Sequence, residues 1–148
     1  MVSTFTGKIV AGLGAGIVLM AILGGTGCAS TPASMTTGGG RIVALSGLPQ
    51  VDAAIASGKA PFIVFYHSPR CGFCGGMLKG MKRDLPDFGA KALIYTVDID
   101  SNTDVRDSKD IGPVPVVVFY KNGHEVNRWR TFRPAFVVRK TLKKFFQG

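Results

Sequence analysis

Pro61-Phe62-Ile63-Val64-Phe65-Tyr66-His67-Ser68-Pro69-Arg70-Cys71-Gly72-Phe73-Cys74 is the stretch on which the fold turns. Its first half is an unbroken apolar run rich in aromatic and β-branched residues, the pattern of a buried strand. His67-Ser68-Pro69-Arg70 reads as a turn, and Cys71-Gly72-Phe73-Cys74 as the opening of a helix. Two cysteines at this spacing can close a disulfide across one helical turn when the first sits at the helix's amino end. Strand, turn, CxxC and helix in that order are the setting in which the spacing means redox chemistry. A static disulfide and half of a zinc site are the other readings of the same residues. Zinc normally takes a second pair of ligands at recognisable spacing, and only His67 and His124 are at hand.

A thiol attacks as thiolate, so a working cysteine needs its pKa lowered from the ordinary value of about 8.5. Unpaired backbone N–H groups and the positive end of a helix dipole act that way on Cys71. Arg70, immediately before it, adds a full positive charge. Cys71 is therefore expected to attack a substrate, and Cys74, one turn in and more buried, to resolve the mixed disulfide. His67, four residues before Cys71, is a candidate proton relay for Cys74.

Outward from this centre the chain divides at residues 28 and 40. A single Lys8 precedes Ile9 to Leu23, which carries no charge and is shorter than a membrane span of about 20 residues. Gly24-Gly25-Thr26-Gly27-Cys28 follows. Small residues before a lone cysteine resemble the lipobox of bacterial lipoproteins, with Gly25 in place of the usual leucine and Cys28 as the lipidation site. If Cys28 carries lipid, the other two of the 3 cysteines form a self-contained pair. An uncleaved anchor and ordinary secretory cleavage are the alternatives. All three place the folded part outside the cytoplasm, on the periplasmic side in a bacterium. Ala29 to Gly40 has neither charge nor apolar pattern, which predicts a flexible tether.

The folded part is expected over residues 41–148. Arg41–Leu45 reads as a strand, and Pro49 opens a short helix with Val51, Ala54 and Ile55 inward. The helix after Cys74 turns Met77, Leu78, Met81 and Leu85 to one face, while Gly75, Gly76 and Gly80 each weaken it by up to about 1 kcal/mol. Packing has to hold that helix. Ala92–Asp98 is a strand, and Asp98-Ile99-Asp100-Ser101-Asn102 a turn that caps a helix running to about Ile111. Val114–Tyr120 and Glu125–Arg130 flank the Asn122-Gly123 hairpin signal. Pro134 opens a last helix whose apolar face is Phe136, Val137, Leu142, Phe145 and Phe146. The order β-α-β-α-β-α-β-β-α predicts an α/β fold, a mixed central sheet flanked by helices.

From Arg41 to the C-terminus this layout resembles thioredoxin. The resemblance rests on Cys71 and Cys74, on the Asp98-Ile99-Asp100 strand end, and on Val114-Pro115-Val116 followed by Lys121-Asn122-Gly123. It implies a cis peptide bond before Pro115, a substrate-binding backbone at Val114, and a surface around Arg70 and Phe73 that meets substrate. It implies no cofactor and no metal beyond the redox-active Cys71–Cys74 disulfide. Its partners would be protein thiols and disulfides and a redox partner protein, met as a monomer.

Departures from the family pattern are informative. The buried aspartate six positions before the first cysteine is Phe65 here, and its partner lysine is Thr96. Loss of that proton-shuttling pair argues against an efficient general reductase. The tryptophan before the first cysteine is Arg70, and the proline between the cysteines is Phe73. The threonine after the cis-proline is Val116, and the glycine flanking the groove lies near Thr131. A thiolate stabilised by Arg70, without a negative neighbour, would make the disulfide more oxidising.

Formal net charge is +9, and Arg128, Arg130, Arg133, Arg139, Lys140, Lys143 and Lys144 face only Glu125. A solvated helix face accounts for this excess, and anionic lipid or acidic partners could also meet it. Nucleic acid is excluded by compartment and by the lack of a recognition motif. An oxidoreductase acting on exported proteins is the leading reading, followed by a soft-metal module binding copper(I) through Cys71 and Cys74. A binding module without turnover is the third.

Overall fold

A computed structural model describes residues 34–37 and 39–148. Its elements are β1 (Ser34–Thr37), β2 (Gly40–Leu45), α1 (Leu48–Ser57), β3 (Phe62–His67), α2 (Gly72–Asp84), β4 (Leu93–Asp98), α3 (Thr103–Ser108), β5 (Val116–Lys121), β6 (His124–Trp129) and α4 (Ala135–Gln147). A 3-10 turn, Leu85–Phe88, closes α2 where Pro86 ends the α-helical hydrogen bonding. The apolar leader expected over residues 1–28, with Cys28, lies outside the described residues.

The six strands lie in the order β1-β2-β4-β3-β5-β6. β2, β4 and β3 run parallel, whereas β1, β5 and β6 pair antiparallel with their neighbours. β3 is flanked on both sides, and Phe62, Ile63, Val64, Phe65 and Tyr66 are all essentially inaccessible. Period-two alternation divides them between two cores. Ile63 and Phe65 join Met77, Met81, Leu85, Phe119 and Leu142 beneath α2 and α4. Phe62, Val64 and Tyr66 join Val51, Val97, Val105 and Val118 beneath α1 and α3. The thioredoxin fold expected from the sequence is thus present.

Three expectations need correction. Residues 29–40, read as a tether, include β1, whose Ser34–Thr37 pairs with Val43–Gly40. The free edge of β2 offers unpaired N–H and C=O groups, and the backbone of this segment satisfies them. On α4 the buried residues are Val138 and Leu142, while Phe136 is 74% exposed. Helix α4 begins only at Ala135, so Phe136 falls in a first turn that overhangs the core. Finally, α3 stops at Ser108 rather than near Ile111, and Asn102 does not cap it through its side chain.

Asn102 has a different task. Its Oδ1 accepts from the Gly47 N–H and the Ser46 hydroxyl, and its Nδ2 donates to the Asp98 carbonyl at 2.7 Å. The loop after β2 is thereby fastened to the loop after β4. The hairpin turn expected at Asn122-Gly123 is present, with φ of 52° and 77°, values that favour Asn and Gly. Burial of Met77 and Met81 on α2, and of Leu85 in the turn that closes it, contributes about 1.5–3 kcal/mol each. That outweighs the glycine cost.

Asn102→Ala should leave the Gly47 N–H and the Asp98 carbonyl without partners and lower stability by about 1–3 kcal/mol. Urea unfolding measures it; a loss within experimental error would show that water replaces the amide.

Candidate active site

Antiparallel pairing of Tyr66 with Val116 sets the end of β3 beside the start of β5. The turn leaving β3 therefore meets the loop entering β5, and Cys71 and Val114 meet there. Cys71 is the N-cap of α2, and its extended backbone (φ −89°, ψ 104°) leaves Sγ facing the first turn. The Cys74 N–H donates to that sulfur at 3.2 Å. A donor aimed at sulfur favours the anion when the thiol is reduced. Cys71 and Cys74 are joined by a disulfide, with Sγ atoms 2.20 Å and Cα atoms 5.3 Å apart. Cys74 is only 2% exposed and packs in the core beneath α2, while Cys71 is partly exposed. The Val114–Pro115 peptide bond is cis. The Val114 carbonyl oxygen lies 3.7 Å from Cys71 Sγ.

Arg70 behaves differently from expectation. Its Nε donates to Asp100 Oδ2 at 3.0 Å, and the same oxygen accepts from the Ser68 hydroxyl at 2.6 Å. The Ser68 Oγ accepts in turn from the Arg70 N–H at 3.1 Å. Hydrogen bonds from Arg70 first, then Ser68, hold the Asp100 carboxyl down at about 2. The full positive charge assigned to Cys71 is thus spent largely on a carboxylate one loop away. What Arg70 supplies is a clasp between the β3–α2 turn and the β4–α3 loop. The backbone of that turn is tied as well, since the Cys71 N–H donates to the Ser68 carbonyl. Ser68 and Asp100 were missed as site residues because in sequence Asp100 reads equally well as a helix cap. The bonds from Arg70 and Ser68 to Asp100 span 30 and 32 residues and have no local signature.

A shallow groove runs from the disulfide along Arg70, Asp100, Arg106, Pro113 and Val114. On the other side of Cys71, Phe73 projects into solvent at 66% exposure, with the Phe132 ring 5.1 Å away. Sequence reasoning placed Thr131 beside the groove; the side chain that meets Phe73 is its neighbour. His67 is half-buried at the end of β3 and stacks on Phe65 at 5.6 Å. Burial pushes its pKa below the usual value, with Asp98 pulling the other way. Among the described residues no hydrogen bond links its imidazole to either cysteine. Phe65 and Thr96 face each other across β3 and β4 in the core beneath α2, both buried. No buried carboxylate therefore lies at that position to oppose a thiolate. Among the described residues no cluster of His, Cys, Asp or Glu is placed to hold a metal ion. Arg70, Cys71, Phe73, Cys74, Val114 and Pro115 converge, and His67 stands close by in the chain without a bond to them.

Comparison with known proteins agrees with this geometry. The Thioredoxin family model matches residues 48–144. Thioredoxin-2 of Saccharomyces cerevisiae is 29% identical over 96 residues, spanning 65% of this chain and 91% of that protein. Thioredoxin-1 of the same yeast is 30% identical over 88 residues, 60% of this chain and 84% of that protein. Among solved structures, Plasmodium falciparum thioredoxin superposes with a TM-score of 0.61 at 20% identity, covering 69% of this chain and 97% of its own. With the fold, the helix-capping dithiol and the proline loop in one place, the chain belongs to the thioredoxin family and is a thiol:disulfide oxidoreductase whose redox group is its own Cys71–Cys74 pair.

Proposed function

We propose that this chain is an extracytoplasmic, membrane-tethered thiol:disulfide oxidoreductase that exchanges disulfides with exported proteins. The observation that carries the division of labour is the difference in exposure between the two sulfurs. Cys71 is partly open to solvent at the helix start, and Cys74 is 2% exposed beneath it. In the reducing direction the Cys71 thiolate attacks one sulfur of a substrate disulfide and expels the other as thiolate. Cys74, deprotonated, then attacks Cys71 Sγ and expels the second substrate sulfur. Two electrons and two protons pass to the substrate, and the Cys71–Cys74 disulfide remains. The oxidising direction is the same path reversed. An extended substrate lies along Val114, whose backbone borders Cys71, and Arg70 and Phe73 flank it on either side.

Compartment rests on the sequence. Cys71 and Cys74 satisfy each other, so Cys28 is the odd cysteine, and it closes an uncharged segment after a run of small residues. A lipid thioether on Cys28 would leave no stray thiol in an oxidising compartment. The tether of this proposal is the leader; among the described residues no helix is long and apolar enough to cross a membrane. The substrates are then exported proteins with reactive cysteines, a redox partner resets the pair, and the domain works as a monomer.

Cys71→Ser should abolish turnover of insulin disulfides, whereas Cys74→Ser should accumulate a covalent substrate adduct on Cys71, read by non-reducing gel and intact mass. An adduct that forms on Cys74 instead would reverse the assignment. For compartment, intact mass of membrane-fractionated protein should show a diacylglyceryl group at Cys28 that Cys28→Ser removes; soluble protein with its leader retained would count against the tether.

The clasp makes a pH prediction. Asp100 has its carboxyl pKa depressed in the folded state, so its contribution is complete above the unfolded value of about 3.9 and fades as pH falls toward about 2. The Tm gap between wild type and Asp100→Asn should be constant from about pH 5 to 7 and close between about pH 4 and 2. A gap that widens on acidification would remove the ion pair from the account.

A further inference from the structure

An apolar cleft of about 200 Å³ lies between α2 and the start of α4, lined by Gly76, Met77, Gly80, Phe132, Arg133 and Val138 among others. It is smaller than the roughly 300–1,000 Å³ that takes a small molecule or cofactor, and suits one large apolar side chain. Packing does not require the glycines on its α2 wall. A Cβ built on Gly76 or Gly80 meets nothing within 4 Å, although Gly80 itself is buried. Both sit in ordinary helical backbone, so neither is held by a positive φ. One ring contact links the cleft to the dithiol segment. Phe132, which forms one wall, touches Phe73, which lies between the two cysteines.

Reach also agrees. Gly76 is five residues past Cys71, about 7.5 Å along a helix axis. A mixed disulfide holds the partner's Cα about 5.5–6 Å from that of Cys71, and an extended chain advances about 3.3 Å per residue. A side chain two or three residues from the partner's cysteine therefore arrives at the cleft. The charge around it has one sign. Arg133 lines the cleft, stacked over Trp129 at 5.9 Å, and no acidic side chain lines it.

We infer that this cleft is a specificity subsite for a polypeptide substrate, taking one aromatic or large aliphatic side chain two or three residues from the reacting cysteine, with an acidic residue beside it. The inference rests on the oxidoreductase reading and adds what that reading leaves open, the kind of segment chosen.

The test uses matched cystine peptides carrying Phe or Ser at that position, each flanked by Glu or by Lys, with a small aromatic disulfide as reference. Wild type should favour the Phe–Glu peptide over Ser–Glu by about tenfold in kcat/KM. It should also favour Phe–Glu over Phe–Lys. Gly76→Leu fills the cleft and should bring the Phe/Ser ratio to within about twofold, whereas Gly75→Leu, off the cleft on the same helix, should keep it. Phe132→Ser removes a wall at an exposed position and should lower the ratio as well, which covers misfolding of the first variant. A wild type inert toward every disulfide overturns the oxidoreductase reading and this one with it. Activity on the small disulfide with no Phe/Ser preference, or a preference that survives Gly76→Leu, overturns the subsite alone. Indifference to Glu against Lys overturns the acidic neighbour.

Discussion

Antiparallel pairing of Tyr66 with Val116 is the contact on which the chemistry depends. It fixes where β3 ends relative to where β5 begins, and so brings the turn of residues 68–71 against the Val114–Pro115 loop. A slip of one residue would exchange the inward and outward side chains of β3 and move Phe65 from one core to the other. The slip is prevented because β3 is buried on both faces and each residue has its own partners. Phe62 stacks on Tyr120 at 4.9 Å on one side, and Phe65 lies under Cys74 on the other. A buried central strand is therefore more than scaffold here. It sets the separation between a sulfur and the backbone that borders it.

The electrostatics of the site are arranged by position rather than by net charge. The chain carries +9, yet Arg70, the cation next to the attacking sulfur in sequence, is committed to Asp100. Its guanidinium remains largely solvent-exposed, at 83% of the side chain, so its field is also screened. Thiolate stabilisation then falls to the first turn of α2, including the Cys74 N–H on Cys71 Sγ, and buried Phe65 sets no negative charge against it. Three of the late cations are similarly occupied. Arg128 pairs with Glu125, Arg130 with Asp110 and Arg139 with Asp87, which tie β6 to the loop before β5 and α4 to the turn after α2.

What could be read from the sequence, and what could not, follows the range of the interactions. The CxxC, the apolar run before it, the Asn122-Gly123 turn and the proline before β5 are local signals, and each was legible because its meaning lies within a few residues. Phe65 and Thr96 were also legible, through resemblance. The Asp100 clasp and the Asn102 stitch were not, because a carboxylate at a strand end looks the same whether it caps a helix or binds an arginine 30 residues away. Strand β1 escaped for another reason. Its pairing to β2 is a backbone ladder, and Ser-Met-Thr-Thr shows no periodicity to mark it. On α4 the apolar residues outnumber the inward positions, and Val138 and Leu142, four apart, take them while Phe136 stays exposed.

Helix α2 joins these threads, because its two faces answer to different demands. Cys74, Met77, Met81 and Leu85 bind it to the core, and this face alone supplies enough burial to hold a helix of poor propensity. That frees the opposite side from any duty to the fold. Gly72, Gly75 and Gly76 are exposed there, and an added Cβ would touch nothing, so alanine would serve stability better at each. A stretch that forgoes this gain beside a reactive sulfur, with Phe73 and Phe132 exposed at its edge, keeps its surface low and open for something outside the chain. The disulfide and the cleft are then two parts of one surface, one to exchange bonds and the other to choose with whom.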